Sequence, residues 1–241
     1  QMLPGDIMAS RQNGFLSNMA LPGFLKHSLV YLGSPEEFRG YFDGDPEVQQ
    51  LVATLCQRIR THKDATFPQV NELADLIAAI SPDKWRTYTN PKAAFHQETG
   101  CAIEAISEGV VISGEAHAMR VDALVTMRPK LSKRQKAVAM LRAFAEVGKE
   151  YDFLFDFNND DPVCSEVVEK IYKPGGEMGV GLTFPGTIEA SRGTMTTNNM
   201  VAHMLDQQDE FEFVYFLDGN RKRGTATFED LGALQRAVRD W

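Results

Sequence analysis

Hydrophobic positions recur with two different periods along the chain, and each change of period marks a new element. In "HSLVYL" (27–32), His27, Leu29 and Tyr31 fall on one face and Ser28, Val30 and Leu32 on the other. That alternation predicts a strand, closed by Gly33, Ser34 and Pro35. "GDIMAS" (5–10) reads as a strand as well. From Asp45 the period lengthens. Asp45 and Pro46 make an N-cap and first-turn pair, and Val48, Leu51, Val52, Leu55 and Ile59 follow at helical spacing. After Pro68, the series Val70, Leu73, Ala74, Ile77 and Ile80 repeats it, which predicts a helical pair ending at "SPDKW". No linker-like tract sets this stretch apart, so residues 34–99 read as a helical insertion between two strands of one sheet.

Strand signals resume in "GCAIEAISEGVVI" (100–112). Ser132 can cap a helix carrying Ala137, Val138, Leu141, Phe144 and Ala145, stopped by Gly148. "YDFLFDF" (151–157) predicts a strand. Asp161 can cap a helix with Pro162 at its first position and Val163, Val167, Val168 and Ile171 along its apolar face, ended by Pro174, Gly175 and Gly176. "EFEFVYFLDG" (210–219) is a late strand. Thr227 with Asp230 starts a last helix through Leu231, Leu234, Val238 and Trp241, as a variant of the capping box. There is no internal repeat. Strands and helices mix without regular βαβ alternation, which predicts an α+β fold: a mostly antiparallel sheet with helices packed on it, in a single domain over 1–241.

Composition narrows the function. The chain has 241 residues, 43% hydrophobic, enough for a sizeable core. A net charge of −8 argues against nucleic-acid binding, which needs a basic footprint. The basic stretch "PKLSKRQK" (129–136) reads as a solvated helix start. Cys56, Cys101 and Cys164 are far apart and form no CxxC unit, so neither a zinc site nor a disulfide framework is indicated. No stretch reaches the roughly 20 apolar residues of a membrane helix, and no signal peptide is visible. A cytoplasmic location and export after loss of a leader both stay open.

Three residues stand out chemically. Cys164, in "DDPVCSEVVEKIY", falls in the first turn of its expected helix, where unpaired N–H groups and the helix dipole favour a thiolate. Asp160, Asp161 and Glu166 oppose that, so a histidine partner is required for an ion pair. Buried packing is the alternative for this residue. A calcium loop starting at Asp156 fits Asn158 and Asp160 but fails at Asp161 and Val167. Of His27, His62, His96, His117 and His203, only His27 opens a strongly patterned strand. In "CAIEAI", Glu104 shares a face with Ala102 and Ile106; a carboxylate there needs a partner or a solvated opening, and orienting a histidine is one such use.

"GDIMAS", "HSLVYLG", "AIEAISEGVVI", then "YDFLFDF" followed by "VCSEVVEKIY" together resemble the permuted papain-like amidases, the YiiX-like branch of the NlpC-type superfamily. In that family the histidine strand comes first, a strand with a glutamate or other polar residue follows, and the cysteine helix comes late. The order His27, Glu104, Cys164 matches, over roughly 5–33 and 100–172. Two departures are visible: residues 34–99 stand where the family often has a short turn, and Asp-Pro-Val precedes Cys164 where relatives commonly carry an aromatic. The resemblance implies a circularly permuted papain-like fold and a Cys164-His27-Glu104 triad acting on an amide through an acyl-thioester. It implies a small-molecule, peptide or acyl-amide substrate and no metal or organic cofactor. The backbone N–H of Cys164 is the implied first oxyanion donor; Asp6 and Tyr31 are weak candidates for a second. The rivals are an acyltransferase or lipid hydrolase of the same fold, as in the lecithin:retinol acyltransferase group, and a non-catalytic interaction module with 34–99 as partner surface.

Overall fold

The computed structural model describes residues 1–12, 23–93, 97–152, 162–175, 178–184, 195–220 and 224–240. Seven strands form one sheet: β1 (Ile7–Arg11), β2 (His27–Tyr31), β3 (Gly100–Ile106), β4 (Gly109–Gly114), β5 (Ala123–Pro129), β6 (Phe211–Asn220) and β7 (Thr225–Glu229). Their spatial order is β4-β3-β2-β1-β5-β6-β7, and every neighbouring pair is antiparallel. The described helices are α1 (Pro35–Phe42), α2 (Pro46–His62), α3 (Leu73–Ile80), α4 (Pro82–Thr89), α5 (Glu115–Ala118), α6 (Lys133–Glu146), α7 (Cys164–Tyr172), α8 (Thr197–Asp206) and α9 (Leu231–Arg239). This is the α+β, permuted papain-like arrangement expected.

The alternation in β2 sorts residues as its pattern predicts. Val30 joins Ile103 and Ala105 in the main core, while Leu29 and Tyr31 join Met8, Ala102 and Leu124 on the opposite face. α7 buries Val167, Val168, Ile171 and Tyr172 and packs against β2, β3 and α6. Its N-terminus is thereby brought to the start of β2.

Residues 34–99 do lie between paired strands, since β2 and β3 are neighbours in the sheet. Among the described residues they hold four helices, not the expected pair: α1 precedes the two periodic runs, and α4 begins inside "SPDKW". Asp45 caps α2 through the N–H groups of Glu47 and Val48. Phe38 is the hub of an aromatic cluster with Phe42, Trp85, Tyr88 and Phe144, centroids 4.9–6.3 Å away. The Tyr88 hydroxyl donates to the Gly33 carbonyl at 2.8 Å and ties the insertion to the end of β2.

Other boundaries differ from expectation. Ser132 caps α6 in a full capping box with Gln135. α7, however, starts at Cys164 with Val163 in the capping position, so Pro162 precedes the helix; Asp161, the expected cap, lies outside the described residues. A valine has no side-chain acceptor; only the return half of a capping box is made, the Val163 N–H donating to Glu166 Oε2 at 3.0 Å. Thr227 lies in β7, and Asp230 alone caps α9, accepting from Ala233. β5 was not expected. Ala123, Leu124, Val125, Thr126 and Met127 are all buried, because β5 is covered on both faces, and such a run carries no alternation to read. The greater part of "YDFLFDF", residues 153–157, lies outside the described residues, as do Asp156, Asn158 and Asp160 of the rejected calcium loop.

Asp6, fully buried before β1, takes Arg128 of β5 in a two-pronged pair, Nε–Oδ1 and Nη2–Oδ2 both 2.9 Å, and also accepts the Leu3 N–H. The pair clips the two central strands at one end. Asp6→Ala leaves a mostly buried guanidinium without its partner. Urea denaturation should show a loss of roughly 3–5 kcal/mol, with Asp6→Asn losing less because it keeps an acceptor for Leu3.

Candidate active site

Cys164 is the first residue of α7 and is 6% exposed. His27 opens β2 at the same end of the sheet, close enough to Cys164 that each group shifts the other's ionisation. On the other side of the ring, His27 Nε2 lies 2.6 Å from Glu104 Oε2. The register explains that contact: Leu29 pairs with Glu104, so His27, two residues earlier on the same face, is the diagonal neighbour of Glu104 across β2–β3. With Nε2 engaged by the carboxylate, Nδ1 is the nitrogen left for the thiol.

The surroundings bias each group towards its charged form. Burial pushes the Cys164 thiol up. The hydrogen bond and charge of His27, the Ser28 backbone N–H and the Thr197 hydroxyl outweigh it and bring the thiol down to about 7. Burial pushes His27 down, and its bonds and attraction to Cys164 and Glu104 raise it to about 10. Burial likewise opposes ionisation of Glu104, yet His27, Ser113 and His117 hold it at about 2. The stability that Glu104 adds is therefore in place above its ordinary 4.5 and lost as pH falls towards 2. That from His27 is full below its ordinary 6.5 and lost as pH rises through about 10. Between about 7 and 10 the pair stands as thiolate and imidazolium.

Cys101 shows how much the partners matter. It is as buried as Cys164, at 7% exposure, but burial and the nearby Glu115, Glu104 and Glu98 push it up to about 12. All three cysteines are free thiols. Among the described residues, no group of three or more His, Cys, Asp or Glu side chains could hold a metal ion.

The structure thus brings His27, Glu104 and Cys164 together. Glu166 turns back onto the Val163 N–H instead of facing the sulfur. Asp6 and Tyr31 are not at the site. Asp6 O accepts the Tyr31 N–H, whereas Ser10 pairs with His27, so both lie four residues, roughly 13 Å, along their strands from the His27 end. The Tyr31 hydroxyl donates to Glu37. His62 ends α2 exposed to solvent, His203 Nε2 lies 3.1 Å from the Thr183 carbonyl, and His96 is outside the described residues. Two site residues had no sequence signal of their own. His117, on α5, sits 3.4 Å from Glu104 Oε1, and Thr197 Oγ1 sits 3.8 Å from Cys164 Sγ.

Iodoacetamide alkylation of Cys164 should rise through a midpoint near pH 7. In His27→Ala the midpoint should move to about 8.5 or above, the range of a free thiol, read by mass spectrometry of the labelled peptide.

Compared with curated proteins and with solved structures, the chain has no match. Among the described residues no helix is long and apolar enough to cross a membrane. A family model for the permuted papain-like amidase enzymes, YaeF/YiiX, C92 family, matches residues 1–184. That span holds β1 to β5 and the helix of Cys164, and the chain belongs to this family of permuted papain-like amidases.

Proposed function

We propose that this protein hydrolyses an amide bond through an acyl-thioester on Cys164, with His27 as the acid–base group and Glu104 as the residue that orients it. The observation that supports this reading is the 2.6 Å contact of His27 Nε2 with Glu104 Oε2, made by the first residue of β2 at the end of the sheet where Cys164 opens α7. In the proposed reaction the thiolate attacks the carbonyl carbon and its electron pair moves onto the oxygen. The Cys164 N–H, at the head of α7, is positioned to donate to that oxyanion. His27 gives its proton to the leaving amine as the tetrahedral intermediate collapses to the thioester. Water, deprotonated by His27, then releases the acid and returns the thiol. Glu104 keeps the Nε2 proton in place and offsets the imidazolium charge.

A non-catalytic module requires His27 to be out of reach of Cys164, and the influence of each group on the other's ionisation counts against it. Between amidase and acyltransferase, the match to the permuted papain-like amidase family favours the amidase.

The test uses a panel of aminoacyl and fatty-acyl p-nitroanilides with the intact protein. Release of p-nitroaniline from the aminoacyl compounds, with an acyl adduct on Cys164 trapped by rapid acid quench, is the expected result. Cys164→Ala should abolish both signals, and Glu104→Gln should lower kcat by roughly 10²–10⁴-fold with an intact fold. A Cys164→Ala variant that cleaves as well as the parent sinks the reading.

A further inference from the structure

The four residues Met195–Asn198 reach both halves of the site, although they lie beyond the stretch matched to the family. The Ser165 hydroxyl, one residue after the nucleophile, donates to the Met195 carbonyl at 2.6 Å. Thr196 caps α8 by accepting the Asn199 N–H, which makes Thr197 the first residue of that ten-residue helix. The Asn198 amide oxygen accepts the N–H groups of Phe24 and Leu25, at 2.9 and 3.3 Å, just before the histidine strand, and its nitrogen donates to the Val238 carbonyl of α9. Gly23 permits this approach. Its φ is +94°, and a Cβ there would lie 2.4 Å from that of Asn198.

Held from both sides, Thr197 is 3% exposed, with Oγ1 3.8 Å from Cys164 Sγ. We infer that Thr197 is a further catalytic residue: its hydroxyl donates to the Cys164 sulfur and stabilises the thiolate that attacks the substrate. This rests on the nucleophile reading above. The direction of the bond follows from the acceptors around the sulfur. A protonated thiol can donate to the Lys26 carbonyl, 4.0 Å away. A thiolate can only accept, and the donors within reach are the His27 ring, the Ser28 N–H and the Thr197 hydroxyl. Thr197 is the first residue of α8 and Cys164 the first of α7, so the first turns of two helices, where the dipole favours negative charge, meet near the sulfur. Among the described residues, Tyr151 also feels the charge at the sulfur and Glu104 acts on it through His27, while Glu166 on its own helix is engaged by the Val163 N–H. A second residue that tunes the thiol fits a nucleophile whose burial otherwise opposes ionisation.

The discriminating variants are Thr197→Val, which keeps the shape and loses the hydroxyl, and Thr197→Ser, which keeps the hydroxyl. The readouts are the pH midpoint of iodoacetamide alkylation at Cys164 and, separately, the thermal denaturation temperature. Thr197→Val should move the midpoint up by about one pH unit, lowering the labelling rate at pH 6 about tenfold, with Thr197→Ser near the parent. Thr197→Ala gives the same readout should valine prevent folding. A folded Val or Ala variant with the parental midpoint overturns the inference, even where its melting temperature falls. A parental midpoint already near 8.5 overturns the ion pair itself and so the nucleophile reading; that outcome is distinct from a failure of Thr197 alone.

Discussion

The charge on Glu104 has to be answered inside the protein. The carboxylate is 3% exposed on the third strand of the sheet, where water does little to solvate it. His27 comes to one oxygen from β2, and His117 comes within 3.4 Å of the other from α5. Each of these depends on sheet register. A slip of one residue between β2 and β3 would turn Glu104 to the helix-covered face, among Val30, Ile103 and Ala105, with no cation in reach. The buried charge therefore favours one pairing as well as the site, and together with Cys164 it raises the His27 pKa.

Given that register, the helices have a narrow task. α7 must bring its first residue to the end of β2, and it does so by burying one apolar face on β2 and β3 while α6 backs it. The helices between β2 and β3 leave this arrangement untouched. The ends of that segment return to adjacent strands, and the closure cost of a long connection grows only slowly with its length. Its own aromatic cluster, shared with Phe144 of α6, supplies packing to offset the ordering of those helices.

The order of His27, Glu104 and Cys164 could be read in the chain because each sits where local pattern is strong: a clean alternation, a carboxylate on an apolar face, a cysteine ahead of a helical run. The start of α7 could not be placed. The Asp161–Pro162 pair is a stronger capping signal than Val163, and tertiary packing set the boundary instead. β5 escaped because a strand buried on both faces loses its alternation. Thr197 gave no signal for a different reason. "MTTNN" is a polar run before a helix, and a cap is all that such a run encodes locally. Its contact with Cys164 spans 33 residues and exists only after α8 has docked. The acidic neighbourhood of Cys164 also misled: Glu166 is spent on the Val163 N–H, a role fixed by helix geometry and not by net charge.

Residues after 184 support the candidate site structurally, on two separate grounds. β6 extends the sheet by pairing with β5 along its whole length, from Ala123–Asp218 to Pro129–Phe211, so the strand next to β1 is covered on both edges only when β6 is present. α9 packs on β6 and, through the Val238 carbonyl, holds the amide of Asn198, which in turn holds the backbone at Phe24 and Leu25. A chain of fixed groups then runs from the last helix to the residues ahead of His27, and a branch of it ends on the cysteine helix at Ser165. Cys101 and Cys164 have nearly the same exposure and thiols displaced in opposite directions; what separates them is this set of placed donors. Burial alone makes a cysteine inert. On the proposed reading, the reactive one is made by partners contributed from β2, β3 and α8.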